Sequence, residues 1–164
     1  MQRYFCIVDT PIGELLLIAS HNHLLQIEFD SNKEYPRRSN AILSLAVEQL
    51  GEYFIGERSH FTIPYRYVGT PFQVKCWNYL MTIPYGETRS YLQEATAISS
   101  PRAVRAVAQA NKRNPLPILT PCHRVIAHSG ELSGYGGGVW RKEWLLTHER
   151  VLNRSSEASP QRPS

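Results

Sequence analysis

The sequence predicts an α+β fold: a small N-terminal α/β domain with antiparallel strands, then a mostly helical C-terminal domain with a helix-turn-helix. Three observations support this prediction. Short β-rich segments separated by turns open the chain, helical spacing of apolar residues dominates after them, and the charge balance changes near residue 70. The 164 residues include 42% hydrophobic and 20% charged residues, a composition that suits a folded protein with a real core.

The first domain is expected to span residues 1–69 and to open with a sheet. Three short strands are predicted at Arg3–Val8, Glu14–Ala19 and Leu24–Phe29, and the turns between them favour an antiparallel meander. The polar segment 31–40 contains a proline and is expected to be a loop.

One helix is predicted in the first domain, because four apolar residues recur at helical spacing and would form its buried face: Leu43, Val47, Leu50 and Phe54. Gly56 would end this helix. The segment Phe61–Val68, which Pro64 interrupts, is a candidate edge strand.

The second domain is expected to span residues 70–152, because Thr70 and Pro71 are typical of the start of a helix. That helix is predicted at Phe72–Met81, with three buried apolar side chains: Val74, Trp77 and Met81. Residues 153–164 are rich in serine, proline and arginine, and we expect a disordered tail there.

Two short helices in the second domain predict a helix-turn-helix. Ser90–Ile98 begins with a capping-box pair, and Pro101–Asn111 follows after a serine-proline break. The second helix presents Arg102 and Arg105 on one face and is rich in alanine, including Ala103 and Ala106. Small side chains allow close approach to another surface, although an ordinary helical hairpin with a solvated cationic face fits the same pattern.

Charge is distributed unevenly along the chain. Residues 1–69 hold six Lys/Arg and eight Asp/Glu, whereas residues 70–164 hold twelve Lys/Arg and six Asp/Glu. The second half is therefore basic by six charges, which is typical of a surface that binds a polyanion such as nucleic acid. A basic surface that serves only solubility is the alternative.

Several classes of protein are excluded or disfavoured. No apolar stretch is long enough to cross a membrane, and the N-terminus lacks the apolar core of a signal peptide. Three widely spaced cysteines form no disulfide framework, so we expect a cytoplasmic protein. The histidines and cysteines lack the paired spacing of zinc ligands, so no metal site is predicted.

The strongest candidate for chemistry is Cys122, which follows Pro121 and precedes His123 and Arg124. A thiol becomes a nucleophile when its proton is removed, and a neighbouring imidazole or cation lowers its pKa. Because adjacent side chains of a strand point apart, this segment must bend if the imidazole is to serve the thiol. The short apolar run before it, Ile118-Leu119, is a candidate buried strand or core segment. An inert buried thiol is the alternative.

Two further segments accompany this candidate site. Five of the ten glycines lie within residues 130–138, in a loop that could approach a ligand closely or act only as a connector. A final helix is predicted at Trp140–Leu152. Glu149 on it could orient an imidazole as the third member of a nucleophile–base–orienter set, and a solvent-exposed glutamate is the alternative.

Together these motifs resemble the methylated-DNA–protein-cysteine methyltransferases, the O6-alkylguanine-DNA alkyltransferases. The resemblance covers about residues 70–149, and its order and gaps both fit. It rests on these segments: TPFQ at 70–73, IPYGE at 83–87, Ser90-Tyr91, RAV at 105–107, Asn114-Pro115, PCHRV at 121–125, GYGGG at 134–138, KEWLL at 142–146 and His148-Glu149.

The resemblance implies a role for each matched residue in repairing duplex DNA that contains O6-alkylguanine. Cys122 would take the alkyl group irreversibly in a single turnover, His123 would accept the thiol proton through a water, and Glu149 would orient His123. Asn114 would brace the bent segment. Tyr91 would crowd the phosphate, help to flip the base and protonate it at N3.

The resemblance also implies the DNA contacts and the base pocket. The helix-turn-helix would bind the minor groove, with Arg105 in the gap left by the flipped base. The implied DNA-binding residues are Arg102, Ala103, Arg105, Ala106 and Tyr91, and the implied pocket consists of Tyr91, Cys122, Tyr135, Gly136 and Gly137. No cofactor and no membrane partner are implied. A monomer is expected, while cooperative binding on DNA and action on O4-alkylthymine stay open.

Two other functions fit parts of the pattern. A thiol hydrolase would use Cys122 with His123 or His148 as base and would turn over many times. A DNA-binding regulator without enzymatic activity would use Arg102 and Arg105 and would not need Cys122.

Overall fold

The computed structural model of the chain describes residues 2–132 and 134–157. The chain forms two compact units. One unit contains the described residues up to Thr70 together with Pro115–Leu119, and the other contains Pro71–Asn114 and the described residues from Thr120 onward. The segment Pro115–Leu119 was not expected in the first unit. It is hydrogen-bonded to the strand Leu24–Phe29 there, since the Ile27 amide donates to the carbonyl of Pro115 over 2.8 Å.

The first unit is built on a three-stranded antiparallel sheet in the order β1-β2-β3, which confirms the predicted meander. Its strands are β1 (Tyr4–Thr10), β2 (Gly13–Ala19) and β3 (Leu24–Phe29). The central strand is the core of this unit, since every residue of β2 from Leu15 to Ala19 is buried. Flanking strands on both sides satisfy its backbone groups, which lets an apolar strand lie in the interior.

Helix α1 (Ala41–Phe54) follows the sheet, and its N-terminus is capped by the Asn40 side chain, which accepts from the amide of Leu43. The predicted buried face was half wrong. Val47 is exposed and Phe54 is half-buried, and the buried apolar face consists of Leu43, Ala46, Leu50 and Tyr53. The predicted and the observed buried faces share Leu43 and Leu50, so helical spacing alone did not distinguish one face from the other.

The predicted edge strand at Phe61–Val68 is wrong, because the segment makes only an isolated bridge between Tyr65 and Leu24. The carbonyl of Pro64 accepts from the Leu24 amide, but proline has no N–H with which to continue a ladder.

The second unit consists mainly of helices, joined by a short parallel pair of strands. Its elements are α2 (Pro71–Leu80), β4 (Arg89–Ser90), α3 (Tyr91–Ala97), α4 (Val104–Lys112), a 3-10 turn (Cys122–Arg124), β5 (Val125–Ile126) and α5 (Val139–Glu157). Helix α2 buries Cys76, Trp77 and Leu80. The predicted burial of Val74 and Met81 was wrong: Val74 is half-buried, and Met81 is exposed because the helix ends before it.

Helices α3 and α4 form the predicted helix-turn-helix. The capping box at the start of α3 is confirmed: the Ser90 hydroxyl accepts from the Gln93 amide, and the Gln93 side chain accepts from the Ser90 amide. Ser99, with φ of 63°, turns the chain after α3. Helix α4 begins at Val104, three residues later than predicted, because Pro101 and Arg102 form a separate turn.

The last helix is longer than predicted. Helix α5 continues to Glu157, so the expected disordered tail does not begin at residue 153. No glycine or proline interrupts the segment before Pro160, and a helix can therefore continue through these polar residues. The rest of the predicted tail, residues 158–164, lies outside the described residues. Within the described part of the chain, no helix is long and apolar enough to span a membrane.

Candidate active site

The segment that carries Cys122 is bent, as the sequence required. Cys122 begins the 3-10 turn, its amide donates to the Thr120 carbonyl over 2.8 Å, and the Arg124 amide donates to the Pro121 carbonyl over 3.0 Å. The preceding Ile118 is buried but lies in no strand, since its φ is 76°. A β-branched residue rarely adopts this backbone conformation, so the approach to Cys122 is strained.

Asn114 holds this bent segment in place. Its Nδ2 atom donates to the Thr120 carbonyl over 2.7 Å, which closes the loop between α4 and the turn. The Asn114 side chain also hydrogen-bonds to Cys122 and so lowers the pKa of that thiol. One amide therefore fixes both the backbone and the reactive sulfur.

Cys122 is a buried, neutral thiol, with a residue exposure of 6%. Burial raises its pKa to about 11, and Asn114 and Lys142 lower it only in part. The sequence suggested that the adjacent imidazole and guanidinium would lower this pKa. They do not, because desolvation of the sulfur outweighs its favourable contacts. Because the resting sulfur is not a thiolate, Cys122 would need a nearby proton acceptor in order to act as a nucleophile.

His123 is held by Glu149 in the interior of this unit. Its Nε2 atom lies 2.7 Å from Glu149 Oε2, and the two side chains are 0% and 1% exposed. Burial lowers the pKa of His123, so the ring is neutral. Because the carboxylate is the acceptor, Nε2 carries the proton. His123 Nδ1 is then a bare acceptor, and it is buried without a hydrogen-bond partner among the described residues.

Arg124 completes this cluster by binding Glu149 through two nitrogens, at 2.7 and 3.0 Å. Its third contact is to the carbonyl of Ile83, at 2.7 Å. Burial alone would raise the pKa of Glu149, but the His123 hydrogen bond and the Arg124 guanidinium hold that pKa well below its ordinary range. Glu149 is therefore an ionised carboxylate, and the Arg124 guanidinium compensates its charge.

A second polar pair lies near the sulfur and combines Tyr91 with Lys142. Lys142 is 1% exposed, and its Nζ donates to the Tyr91 hydroxyl over 3.3 Å. Burial raises the pKa of Tyr91 to about 12, helped by nearby Cys122 and Glu94, so the phenol stays protonated. The sequence pointed to Tyr91 but gave no role to Lys142, although this lysine opens the matched KEWLL segment.

The glycine loop approaches these groups closely. A Cβ added at Gly134 would lie 3.3 Å from the Tyr91 hydroxyl, and one at Gly136 would lie 3.1 Å from the carbonyl oxygen of Lys112. Arg141 is buried and donates to the Gly137 carbonyl over 2.9 Å. Tyr135 in the same loop is 7% exposed. A side chain at 134 or 136 would therefore require the facing atom to shift by a few tenths of an ångström.

The cationic face of the helix-turn-helix is open to solvent. Arg102, Arg105 and Ala106 are exposed, whereas Ala103 is half-buried. The opposite side of α4 is fixed from within the unit, because the indole N–H of Trp77 donates to the Ala110 carbonyl over 2.8 Å. Among the described residues, no group of three or more His, Cys, Asp or Glu side chains could hold a metal ion.

Comparison with known families finds two matches that divide the chain. Residues 3–67 match the ribonuclease-like domain of 6-O-methylguanine DNA methyltransferase, and residues 71–151 match the DNA binding domain of the same family. Together they extend over most of the 164 residues.

Curated relatives and solved structures agree with these matches. A constitutive methylated-DNA–protein-cysteine methyltransferase of Bacillus subtilis is 44% identical over 161 residues, covering 91% of this chain and 96% of that protein. A methylated-DNA–protein-cysteine methyltransferase of Mycobacterium leprae is 45% identical over 148 residues, covering 87% of this chain and 90% of that protein. The crystal structure of OGT of Mycobacterium tuberculosis in complex with DNA matches with a TM-score of 0.84 at 42% identity, covering 91% of this chain and 94% of that one.

Proposed function

The chain belongs to the 6-O-methylguanine DNA methyltransferase family, whose members repair DNA by moving an alkyl group onto a cysteine, and we propose that Cys122 is the acceptor here. The observation that carries this assignment is the placement of its sulfur on a bent turn, beside the His123–Glu149 pair and within reach of the charge of Lys142. The substrate is duplex DNA that contains O6-alkylguanine.

The other two cysteines lack this setting. Cys76 is fully buried on α2, and burial raises its pKa to about 12. Cys6 lies on β1, and burial raises its pKa as well. Neither has a histidine or asparagine hydrogen bond among its described contacts, so neither combines a nucleophile with a base.

The proposed reaction is a direct displacement at the alkyl carbon. The sulfur–carbon bond forms as the bond from that carbon to O6 of guanine breaks, and the thiol proton passes through a water to the bare Nδ1 of His123. Glu149 stabilises the imidazolium that results, as a buried carboxylate does for a histidine base. The geometry supports this direction, since a neutral ring with its proton on Nε2 can accept only at Nδ1.

The departing guanine needs a proton, and Tyr91 is the proposed donor to its N3 atom. The phenol is protonated because its pKa is raised to about 12, and Lys142 lies 3.3 Å from its oxygen. The ammonium group would stabilise the phenolate that forms when the proton leaves. Tyr135, Gly136 and Gly137 would line the pocket for the base, with main-chain groups of this loop as its hydrogen-bond partners.

The helix-turn-helix is the proposed DNA-binding element. Its exposed cations are Arg102, which would contact phosphates, and Arg105, which would occupy the gap left by the flipped nucleotide. The small residues Ala103 and Ala106 would allow α4 to enter the minor groove. Extruding a base costs a few kcal/mol, and less for a weakened pair, which favours the damaged site.

The product is a thioether, which is chemically stable, and none of the described residues offers a second nucleophile beside Cys122 to remove the alkyl group. The protein would therefore act once. The three free cysteines of the chain support the cytoplasm as its proposed location.

Mass spectrometry of the protein after mixing with O6-methylguanine duplex DNA tests the proposal. We expect one added methyl group, located on Cys122, with uptake saturating at one per chain. Cys122→Ser should take up none, whereas the control Cys6→Ser should behave as the wild type. Methyl uptake by Cys122→Ser, or repeated turnover by the wild type, would overturn the assignment.

A further inference from the structure

A buried carboxyl group joins the two helices of the helix-turn-helix and has no part in the chemistry proposed above. Glu94 on α3 is 0% exposed, and Asn111 on α4 is 3% exposed. The Asn111 Nδ2 atom donates to Glu94 Oε1 over 2.6 Å. This is a short bond for a neutral amide, and it links the helix that is proposed to enter DNA with the helix that precedes it.

The other two side-chain oxygens of Glu94 and Asn111 can be paired only if a proton lies between them. Glu94 Oε2 and Asn111 Oδ1 are both buried, and neither has a hydrogen-bond partner among the described residues. A carboxylate could only accept, so both oxygens would stay buried and unpaired, which is unfavourable. A carboxylic acid carries the missing hydrogen on Oε2 and can donate it to Oδ1, which satisfies both oxygens in one reciprocal pair.

The surroundings also favour the neutral form. The Glu94 carboxyl raises the pKa of four titratable groups on the packed elements, none of them a cation: Cys76 and Tyr79 on α2, Tyr91 on α3, and Cys122 at the turn. No cation in the described part of the chain contributes to its pKa. Burial raises the pKa of Glu94 to about 7, and the Asn111 bond lowers it only in part.

We propose that Glu94 is a positioning residue which, as a neutral acid sharing its proton with Asn111, holds α4 against α3 in the DNA-binding geometry. When Glu94 ionises as the pH rises through about 7, the pair loses one of the two hydrogen bonds that join α3 to α4. The negative charge also makes the Cys122 thiolate harder to form. The inference rests on the proposed function, because it assigns to α4 the contact with DNA.

Glutamine at position 94 would reproduce the protonated acid permanently. Its Oε1 would accept from Asn111 Nδ2, and its Nε2 would donate to Asn111 Oδ1, so the same two hydrogen bonds form without a titrating group. Glu94→Gln therefore keeps the shape and hydrogen bonds of the side chain but removes its ionisation. If Glu94 has only a structural role, the wild type and this variant should show the same pH dependence.

The first experiment asks whether the acid exists and needs no DNA. Infrared spectra of the wild type at about pH 6 should contain the C=O stretching band of a protonated carboxylic acid, which should disappear as the pH rises through about 7 and be missing from Glu94→Gln. If the wild type lacks the band at the lower pH, Glu94 is ionised and the proposal is overturned. This outcome is independent of methyl uptake, which tests the proposed function.

The second experiment measures duplex affinity against pH in the wild type, Glu94→Gln and the control Glu87→Gln, whose carboxyl is exposed. If only the protonated form binds, the affinity of the wild type should fall by about tenfold between roughly pH 6 and pH 8 relative to Glu94→Gln. Glu87→Gln should keep the dependence of the wild type. Equal pH dependence in the wild type and Glu94→Gln would overturn the proposal.

Discussion

Glu149 Oε2 lies 2.7 Å from His123 Nε2, and the same carboxylate binds Arg124 through both of its oxygens. One residue of α5 thus orients the proposed base and balances the guanidinium beside it. Because the three side chains are buried, removal of any one leaves a polar group without compensation. The reactive turn depends on a residue 25 or more positions away in the chain.

Replacing Glu149 by glutamine should slow alkyl transfer and destabilise the fold. The amide could keep one hydrogen bond to His123, but it would not stabilise an imidazolium or neutralise Arg124. We expect a rate loss of about 10²–10⁴-fold and a destabilisation of about 3–5 kcal/mol. Single-turnover methyl uptake and thermal unfolding measure the two effects.

Glu143→Gln is the matched control, because this glutamate lies on the same helix and is exposed. It should change neither measurement appreciably. A Glu149→Gln variant that transfers methyl groups at the rate of the wild type would show that the carboxylate does not assist the base.

The raised pKa of Cys122 predicts how the free protein reacts with a small thiol reagent. The thiolate is the reactive form, and a pKa of about 11 leaves little of it at neutral pH. Below that pKa, each added pH unit should increase the rate of iodoacetamide labelling at Cys122 by about tenfold. Peptide mass spectrometry across a pH series measures the rate.

Lys142→Met should reduce labelling of Cys122 at every pH in that range, because the lysine charge lowers the thiol pKa and its loss raises it further. Cys6 in the same sample reports general effects on the protein. Labelling of Cys122 that is already constant above neutral pH would mean that the resting sulfur is a thiolate.

Gly136→Ala should destabilise the protein, since the new Cβ would lie 3.1 Å from the carbonyl oxygen of Lys112, a backbone atom that has little room to move. Overpacking of this kind costs about 1–3 kcal/mol. Gly51→Ala is the matched control: it lies within α1, its Cβ would meet nothing within 4 Å, and it should stabilise the helix by roughly 0.5–1 kcal/mol. Urea unfolding measures the free energy of unfolding of both variants. Equal changes in the two variants would contradict close packing of the loop.

Arg105→Ala should weaken repair of duplex DNA by roughly tenfold, in line with the loss of one specific contact, and affect transfer from a free O6-alkylguanine base much less. The exposed residue Arg66 in the first unit provides the control, because Arg66→Ala removes the same charge from another surface. Equal losses on the duplex and on the free base would exclude a role of Arg105 in occupying the gap left by the flipped nucleotide.

Local patterns determined much of this protein. The alternation of short β-rich segments and turns predicted the meander, and the Ser90–Gln93 capping box predicted the start of α3. Such features depend on hydrogen bonds between residues a few positions apart, which are visible in the sequence itself. The motifs around Cys122 and Glu149 indicated the family and the residues that would share a site.

Only the tertiary structure decided which helix faces are buried and how the site is charged. The shift from Val47 to Ala46 on α1 depends on what packs against that helix, and sequence spacing does not record it. The neutral thiol of Cys122 and the raised pKa of Glu94 also arise from burial. Desolvation depends on every neighbour in three dimensions, so residue type and spacing alone leave the protonation state undetermined.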